Sequence, residues 1–307
     1  MKKWIVILSC WSLCGMAQDV HFSQWFNNPL FQSPAKAGSF DGLYRVTAHQ
    51  RQQWASVSIP FSTTSAGFDM PYKQWGFGAQ FLRDQSGSSR LSLTQLSLSL
   101  ARKLDDWQVG TQLTLAQQTI DYSELIFIDD NEQIPSLSTS YIDIGMGVQR
   151  QFVLGESLFN LGYSLFHVNT PNRSFTSSKD QLKPKHQFVS QWAYPLTNQW
   201  LLKPSFQWKK QAQQQAFFLG SSVVYDMSEA YFQTLRLEGG TYYRLGDAFS
   251  FLLGVQWAHN LIAFSYDMNV SDLVPASSYM GAWEVSFTHI IKPNMPRSTY
   301  KICPAFL

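Results

Sequence analysis

Little in the 307-residue sequence announces a chemistry. Cysteine is nearly absent: of three, Cys10 and Cys14 sit close to the start and only Cys303 lies beyond them. That excludes a disulfide framework and a cysteine metal cluster from most of the chain. Charge is sparse too, at 14 % of residues, where soluble domains average about a quarter. No stretch approaches the roughly 18 uninterrupted apolar residues of a membrane helix. No HExxH helix, cysteine pair or Gly-x-Ser-x-Gly elbow occurs, so the usual signatures of zinc sites and serine hydrolases are missing. The histidines, His21, His49, His167, His186, His259 and His289, are scattered and read as polar interior or interface residues.

What is present begins at the N-terminus. Lys2 and Lys3 precede an apolar run from Trp4 to Leu8 and on to Leu13, followed by Gly15-Met16-Ala17. These are the three parts of a secretory signal peptide, residues 1–17, cut after Ala17. The apolar run is too short to cross a hydrocarbon core of about 30 Å as an anchor. A lipoprotein cut before Cys10 or Cys14 would shorten it further. Two of the 23 basic residues leave with this segment, so the mature chain is balanced at 21 basic against 21 acidic residues. Nothing in that balance marks a nucleic-acid binder.

The remaining sequence alternates. Phe249, Phe251, Leu253, Val255 and Trp257 are separated by small or polar residues, the period-two pattern of a strand with one apolar face. Fourteen such runs can be read, at 42–54, 62–70, 75–84, 90–102, 107–118, 141–152, 157–168, 184–195, 199–210, 215–226, 230–244, 248–258, 260–270 and 280–291. Most reach the roughly 9 to 11 residues of a tilted membrane strand, whereas strands of soluble proteins average about 5 to 6. An even count suits a single-chain outer-membrane barrel, and a slightly negative mean hydropathy follows when each lipid-facing residue is offset by one facing the lumen.

Two further features agree with a barrel and disfavour a soluble sandwich. With both termini in the periplasm, the inner connections 71–74, 103–106, 153–156, 196–198, 227–229 and 259 are all short, and the long ones, 119–140, 169–183 and 271–279, fall outside. Trp54, Trp75, Trp107, Trp200, Trp208, Trp257 and Trp283 lie near strand ends, as interfacial girdles require, with Trp192 nearer mid-strand. The expected fold is therefore an all-β, transmembrane, antiparallel up-and-down barrel of about fourteen strands over 42–292. The leader 18–41 is expected to pack on the barrel or in its mouth, because Phe22, Trp25, Phe26, Leu30 and Phe31 are costly to leave in water. A tail, 293–307, follows. Two local faults are expected: a β-bulge near Thr94 to Leu96, where the leucines change parity, and distortion at Pro204.

Candidate site residues follow from this layout. Arg45, His49 and Arg51 share the face opposite Tyr44, Val46 and Ala48, and form a basic lumen stripe that is expected to be hydrated or to hold an acidic plug, hydration being the simpler case. Ser164 and His167 could begin a barrel-wall hydrolase site but lack a third member. Asp129-Asp130-Asn131-Glu132 offers oxygen ligands without the order of a calcium loop. No catalytic, metal or cofactor site is expected.

Several segments resemble the PorP/SprF family of type IX secretion proteins. They are Gln18-Asp19-Val20-His21-Phe22-Ser23-Gln24, Asn28-Pro29-Leu30, Ser33-Pro34-Ala35-Lys36-Ala37-Gly38, Arg51-Gln52-Gln53-Trp54, His167 to Phe175, Lys185-His186, Phe264 to Met268 and Cys303-Pro304-Ala305-Phe306. Ser33 stands where the family has Asn, and Ala305 where it often has Arg. The resemblance implies an integral outer-membrane protein of the Bacteroidetes secretion and gliding machinery, not an enzyme. It implies support for secretion and surface anchoring of large adhesin-like proteins through their type IX C-terminal domains, alongside other secretion components and outer-membrane lipid. Long outside loops are where a barrel carries function, so expected partner contacts are Phe127, Ile128, Asp129, Asp130 and Asn131 in one loop, and Asn169, Pro171, Asn172, Arg173 and Phe175 in the next. The alternatives are a diffusion porin or solute transporter and, more remotely, an outer-membrane esterase or lipase.

Overall fold

The computed structural model describes residues 19–54, 59–86, 91–121, 136–176, 178–228, 234–271 and 274–293. Fourteen strands form one closed antiparallel barrel: β1 (Tyr44–Gln53), β2 (Phe61–Tyr72), β3 (Trp75–Ser86), β4 (Leu91–Leu104), β5 (Trp107–Ile120), β6 (Leu137–Leu154), β7 (Ser157–Phe166), β8 (Lys185–Pro195), β9 (Trp200–Gln211), β10 (Gln214–Asp226), β11 (Leu235–Arg244), β12 (Ala248–Trp257), β13 (Asn260–Asn269) and β14 (Met280–Ile291). Each strand pairs with its sequence neighbours, and β1 closes the barrel against β14, Tyr44 opposite Ile291.

Alternation sorts the side chains. In β12, Phe249, Phe251, Leu253 and Val255 point outward, Leu253 with 70 % of its surface exposed, while Ala248, Ser250 and Leu252 are buried. Phe77, Phe81, Leu96, Leu98, Leu113, Leu115, Ile262 and Phe264 extend the same exposed apolar belt. In water each such side chain would forgo about 1.5 to 3 kcal/mol of burial; against acyl chains it loses nothing.

Six connections gather at one end of the barrel, the turn end: 73–74, 105–106, 155–156, 196–199, 227–234 and 258–259. The others, including 167–184 and 270–279, gather at the loop end. The expected opening of the eleventh strand, 230–233, lies outside the described residues, and β11 is described from Leu235. Trp75, Trp107 and Trp200 each open a strand at the turn end, and Arg102 and Arg150 stack on Trp75 and Trp107, both 5.1 Å from the ring centroid. Trp192 belongs to this girdle rather than to mid-strand: it lies near the end of β8, against Phe159 and Tyr194.

The bulge expected in β4 is absent. Its register to β3 and β5 runs unbroken, and the early leucines, Leu91 and Leu93, are half-buried on the lumen side near the loop end, where the lipid-facing constraint has ended. Pro204 does interrupt pairing: β8 and β9 are in register up to Gln191 opposite Ser205 and resume at Tyr194 opposite Leu202, because proline has no N–H to give the ladder.

The leader goes further than the mouth. Asp19 lies at the loop end beside His167 and Lys185, and Gly38 lies at the turn end, its N–H donating to Asp69 at 2.8 Å. Residues 19–41 thus pass through the whole lumen before β1 begins. Three short helical turns, Trp25–Asn27, Pro29–Gln32 and Pro34–Lys36, compact the segment, and Phe22, Trp25 and Leu30 are almost fully buried. The barrel wall is relieved to admit it: a Cβ on Gly110 would stand 2.6 Å from Ala35 N and from Pro34, and one on Gly76 would collide with the Ala37 carbonyl. Consequently Asp19 and the end of β14 lie at opposite ends of the barrel.

Candidate functional site

The basic stripe is buried and paired, and it is the leader's anchor. Arg45 makes a bidentate contact with Asp69, directly across in β2, at 2.9 and 2.7 Å. Arg51 reaches Asp267 at 2.8 Å, Glu284 at 3.3 Å and the Ser23 hydroxyl at 2.6 Å. His49 lies 3.6 Å from Glu284, with its other nitrogen 3.1 Å from the Asn27 carbonyl. The simple hydrated stripe is thereby overturned. These groups sit in a lumen filled by the leader, and their counter-charges come from β2, β13 and β14 rather than from an acidic plug. Charges this buried are tolerated only when paired and hydrogen-bonded.

The acids in turn grip the leader backbone. Glu284, with no exposed surface, accepts from Ser23 N at 2.8 Å and Gln24 N at 3.2 Å. The Gln24 amide donates to Ser265 Oγ and to the Glu284 carbonyl, and its oxygen accepts from Ser286. Asp69 and Glu284 were not singled out from the sequence, and Asp267 only as a member of the 264–268 segment. The available signal was a lone carboxylate at an inward position of a strand with no other acidic, lysine or arginine residue.

At the loop end a second cluster holds the leader's start. His167 gives both ring nitrogens to carboxylates, Nδ1 to Asp143 at 2.9 Å and Nε2 to Asp19 at 2.8 Å, and Lys185 meets Asp19 at 2.6 Å. Burial alone would raise the Asp19 carboxyl, but Lys185 and His167 outweigh it and hold it well below the usual range. Burial would lower the His167 imidazole, yet Asp19 and Asp143 raise it. An imidazole with both nitrogens engaged by carboxylates has none free to accept a proton from Ser164, so the pair forms no hydrolase dyad. His167 also adopts φ 59°, a left-handed conformation that costs a non-glycine residue about 1–3 kcal/mol and turns the chain off β7 toward the mouth.

The expected contact loops divide. Phe127 to Asn131, with the Asp129 to Glu132 group, lie outside the described residues, as do residues 1–18 and the tail from 294. Asn169 caps the exposed edge of β6, accepting from Ile144 N and donating to the Ile142 carbonyl. Pro171 is buried, and Asn172 folds its own loop by accepting from Ser174 N and Asp180 N. Phe175 is half-buried. Arg173 pairs with Asp180 and lines a cavity of about 530 Å³ at the mouth, whose floor is the start of the leader.

A closed barrel carrying an N-terminal plug is matched in sequence by the family model for the type IX secretion system membrane protein PorP/SprF, over residues 15–289. The chain belongs to the PorP/SprF family. No curated protein matches the sequence. Among solved structures, the toluene transporter TbuX of Ralstonia pickettii is similar at 12 % identity and a TM-score of 0.55, with 86 % of this chain and 94 % of that one covered. The toluene transporter TodX of Pseudomonas putida follows at 8 % and 0.52, covering 85 % and 91 %. A FadL homologue of Pseudomonas aeruginosa stands at 9 % and 0.50, covering 86 % and 94 %. Identities this low speak to fold alone. This PorP/SprF protein is an integral β-barrel of the outer membrane, in a family of secretion components.

Proposed function

We propose that this PorP/SprF protein is a non-enzymatic component of the type IX machinery that supports secretion and surface anchoring of large adhesin-like proteins by binding their C-terminal domains at its loop end, which faces the cell exterior. The observation that carries the reading is the filled lumen. With residues 19–41 packed from one end of the barrel to the other, what remains for a partner is the mouth and its loops, where barrels carry function. Family membership supplies the secretion context and the expectation of further secretion components as partners. The longer connections at that end support the orientation. The segments 127–131 and 169–175 are the proposed contacts.

A solute channel has the fold of TbuX and TodX behind it, but it needs a continuous path that the leader occupies. Affinity capture of the tagged protein from outer membranes, followed by mass spectrometry, tests the proposal. A very large secreted protein should co-purify and should disappear from the surface of cells lacking this chain. Steady solute-permeable conductance of the purified protein, together with unchanged surface proteins in the deletion strain, overturns it.

A further inference from the structure

The mouth cavity has an uneven charge. Five cations line it, Arg173, Lys183, Lys185, Lys209 and Arg244, against three carboxylates, Asp19, Asp180 and Asp247. Each carboxylate is already paired, Asp19 with Lys185, Asp180 with Arg173 and Asp247 with Arg244. Lys183 and Lys209 are left over. Lys183 is exposed, so water serves it. Lys209 is half-buried on the lumen face of β9, its Nζ 5.5 Å from the Phe31 ring centroid and 5.4 Å from that of Phe218. Among the described residues it has no carboxylate within ion-pair distance and no hydrogen-bond acceptor, and two ring faces replace only part of what water gives an ammonium.

The other walls say what should accompany an incoming anion. Val20, Leu182, Phe218, Leu245 and Val270 are the apolar part of the lining, Phe218 beside the lysine, and a volume of about 530 Å³ falls in the range of small-ligand sites. Dianionic phosphate is best held by planar arginine forks; Arg173 and Arg244 each already give Nε to an aspartate, so a lone lysine ammonium is the half-buried charge left for the ligand, and it suits a monoanion. The geometry points to a site for a single carboxylate carried on an apolar or aromatic body, with Lys209 as its charge partner and Phe218 as the face against which the body packs. A free aromatic or aliphatic acid and the C-terminal residue of a peptide both present that chemistry.

Calorimetry on the purified full chain in detergent tests the site, using 3-phenylpropionate, its neutral amide, phenyl phosphate, and N-acetyl-Gly-Phe with a free or amidated end. The acid should bind at least tenfold tighter than its amide. Lys209→Met should remove at least tenfold of that affinity and Lys209→Arg should restore most of it, while Lys183→Met changes it less than threefold. Tighter binding of free-ended N-acetyl-Gly-Phe than of 3-phenylpropionate identifies a chain end as the source, and the reverse identifies a small acid; either supports the site. Equal binding of acid and amide, preference for phenyl phosphate, or no binding of any probe at millimolar concentration overturns it. The acid and amide comparison needs no variant, so it decides even if Lys209→Met does not fold. No client protein takes part, so failure here leaves the anchoring proposal standing, and failure of client capture leaves this site standing.

Discussion

Replacing Arg51 with methionine should unplug the barrel. The guanidinium stands between Asp267 and Glu284, at 2.8 and 3.3 Å, and both acids are buried. Removing one partner of a buried ion pair costs about 3–5 kcal/mol, because the remaining charge is uncompensated. Here two carboxylates lose their nearest cation, Asp267 keeping only Arg244 at 3.9 Å and Glu284 only His49 at 3.6 Å, and the least disruptive relief is for the leader to leave and admit water. The Ser23 hydroxyl loses its 2.6 Å donor in the same step. A change of about 3 kcal/mol in leader opening is roughly a hundredfold. Hydrogen exchange in lipid nanodiscs reads it at the Ser23 and Gln24 amides, which donate to Glu284, since exchange follows local opening. We expect these amides to exchange about a hundredfold faster in Arg51→Met and by an intermediate factor in Arg51→Lys, with strand amides unchanged. Ser23→Ala, a milder variant, removes one hydroxyl and should cost about 1 kcal/mol. Leader exchange within about threefold of the parent in Arg51→Met, with the barrel intact, would refute the account of the network as the leader's pin.

Two further outcomes follow from the leader's fit and its clamp. Gly110→Val places side-chain atoms where Ala35 and Pro34 lie; overpacking of about 1–3 kcal/mol should leave barrel folding intact by gel mobility but make residues 33–38 accessible to protease. At the mouth, His167 is raised above 6.5, so its stabilisation is full below that value and is lost as pH rises through the higher folded-state value. Asp19 is lowered below 3.8, so its contribution is full above 3.8 and is lost as pH falls through the lower folded-state value. The protection of the Ser23 and Gln24 amides, taken relative to the intrinsic exchange rate at each pH, should therefore be greatest between pH 3.8 and 6.5 and should fall toward alkaline pH; His167→Ala should abolish that alkaline fall.

The wall was legible and the filling was not, for a physical reason. Alternation is imposed on each strand separately by lipid on one side and lumen on the other, so β12 announces itself from Phe249 to Trp257 without reference to any neighbour. The leader has no such period, since Phe22, Trp25 and Leu30 are buried on all sides and no face is left to repeat. Its aromatic content indicated burial but not depth. Similarly, the inward parity of Arg45, His49 and Arg51 could be read from β1 alone, while their pairing depends on register: Asp69 faces Arg45 across one neighbour and Glu284 faces Arg51 across the other. The cavity depends on still more distant contacts, joining Lys209 of β9 to Phe31 of the leader and Arg244 of β11.

The passage of the leader from one end of the barrel to the other also constrains assembly. Residues 19–43 lead directly into β1, the strand whose pairing with β14 completes the cylinder. If the cylinder closed first, the leader would have to be pushed the full depth of a narrow polar tube, past buried charges already paired across its wall. If the leader is laid along the growing sheet instead, its contacts with β3, β5 and β6 form early, and the last seam seals it in. The plug then serves as the mandrel around which the sheet is rolled, and its release once the seam is shut requires only that the leader slide out, not that any strand part from its neighbour.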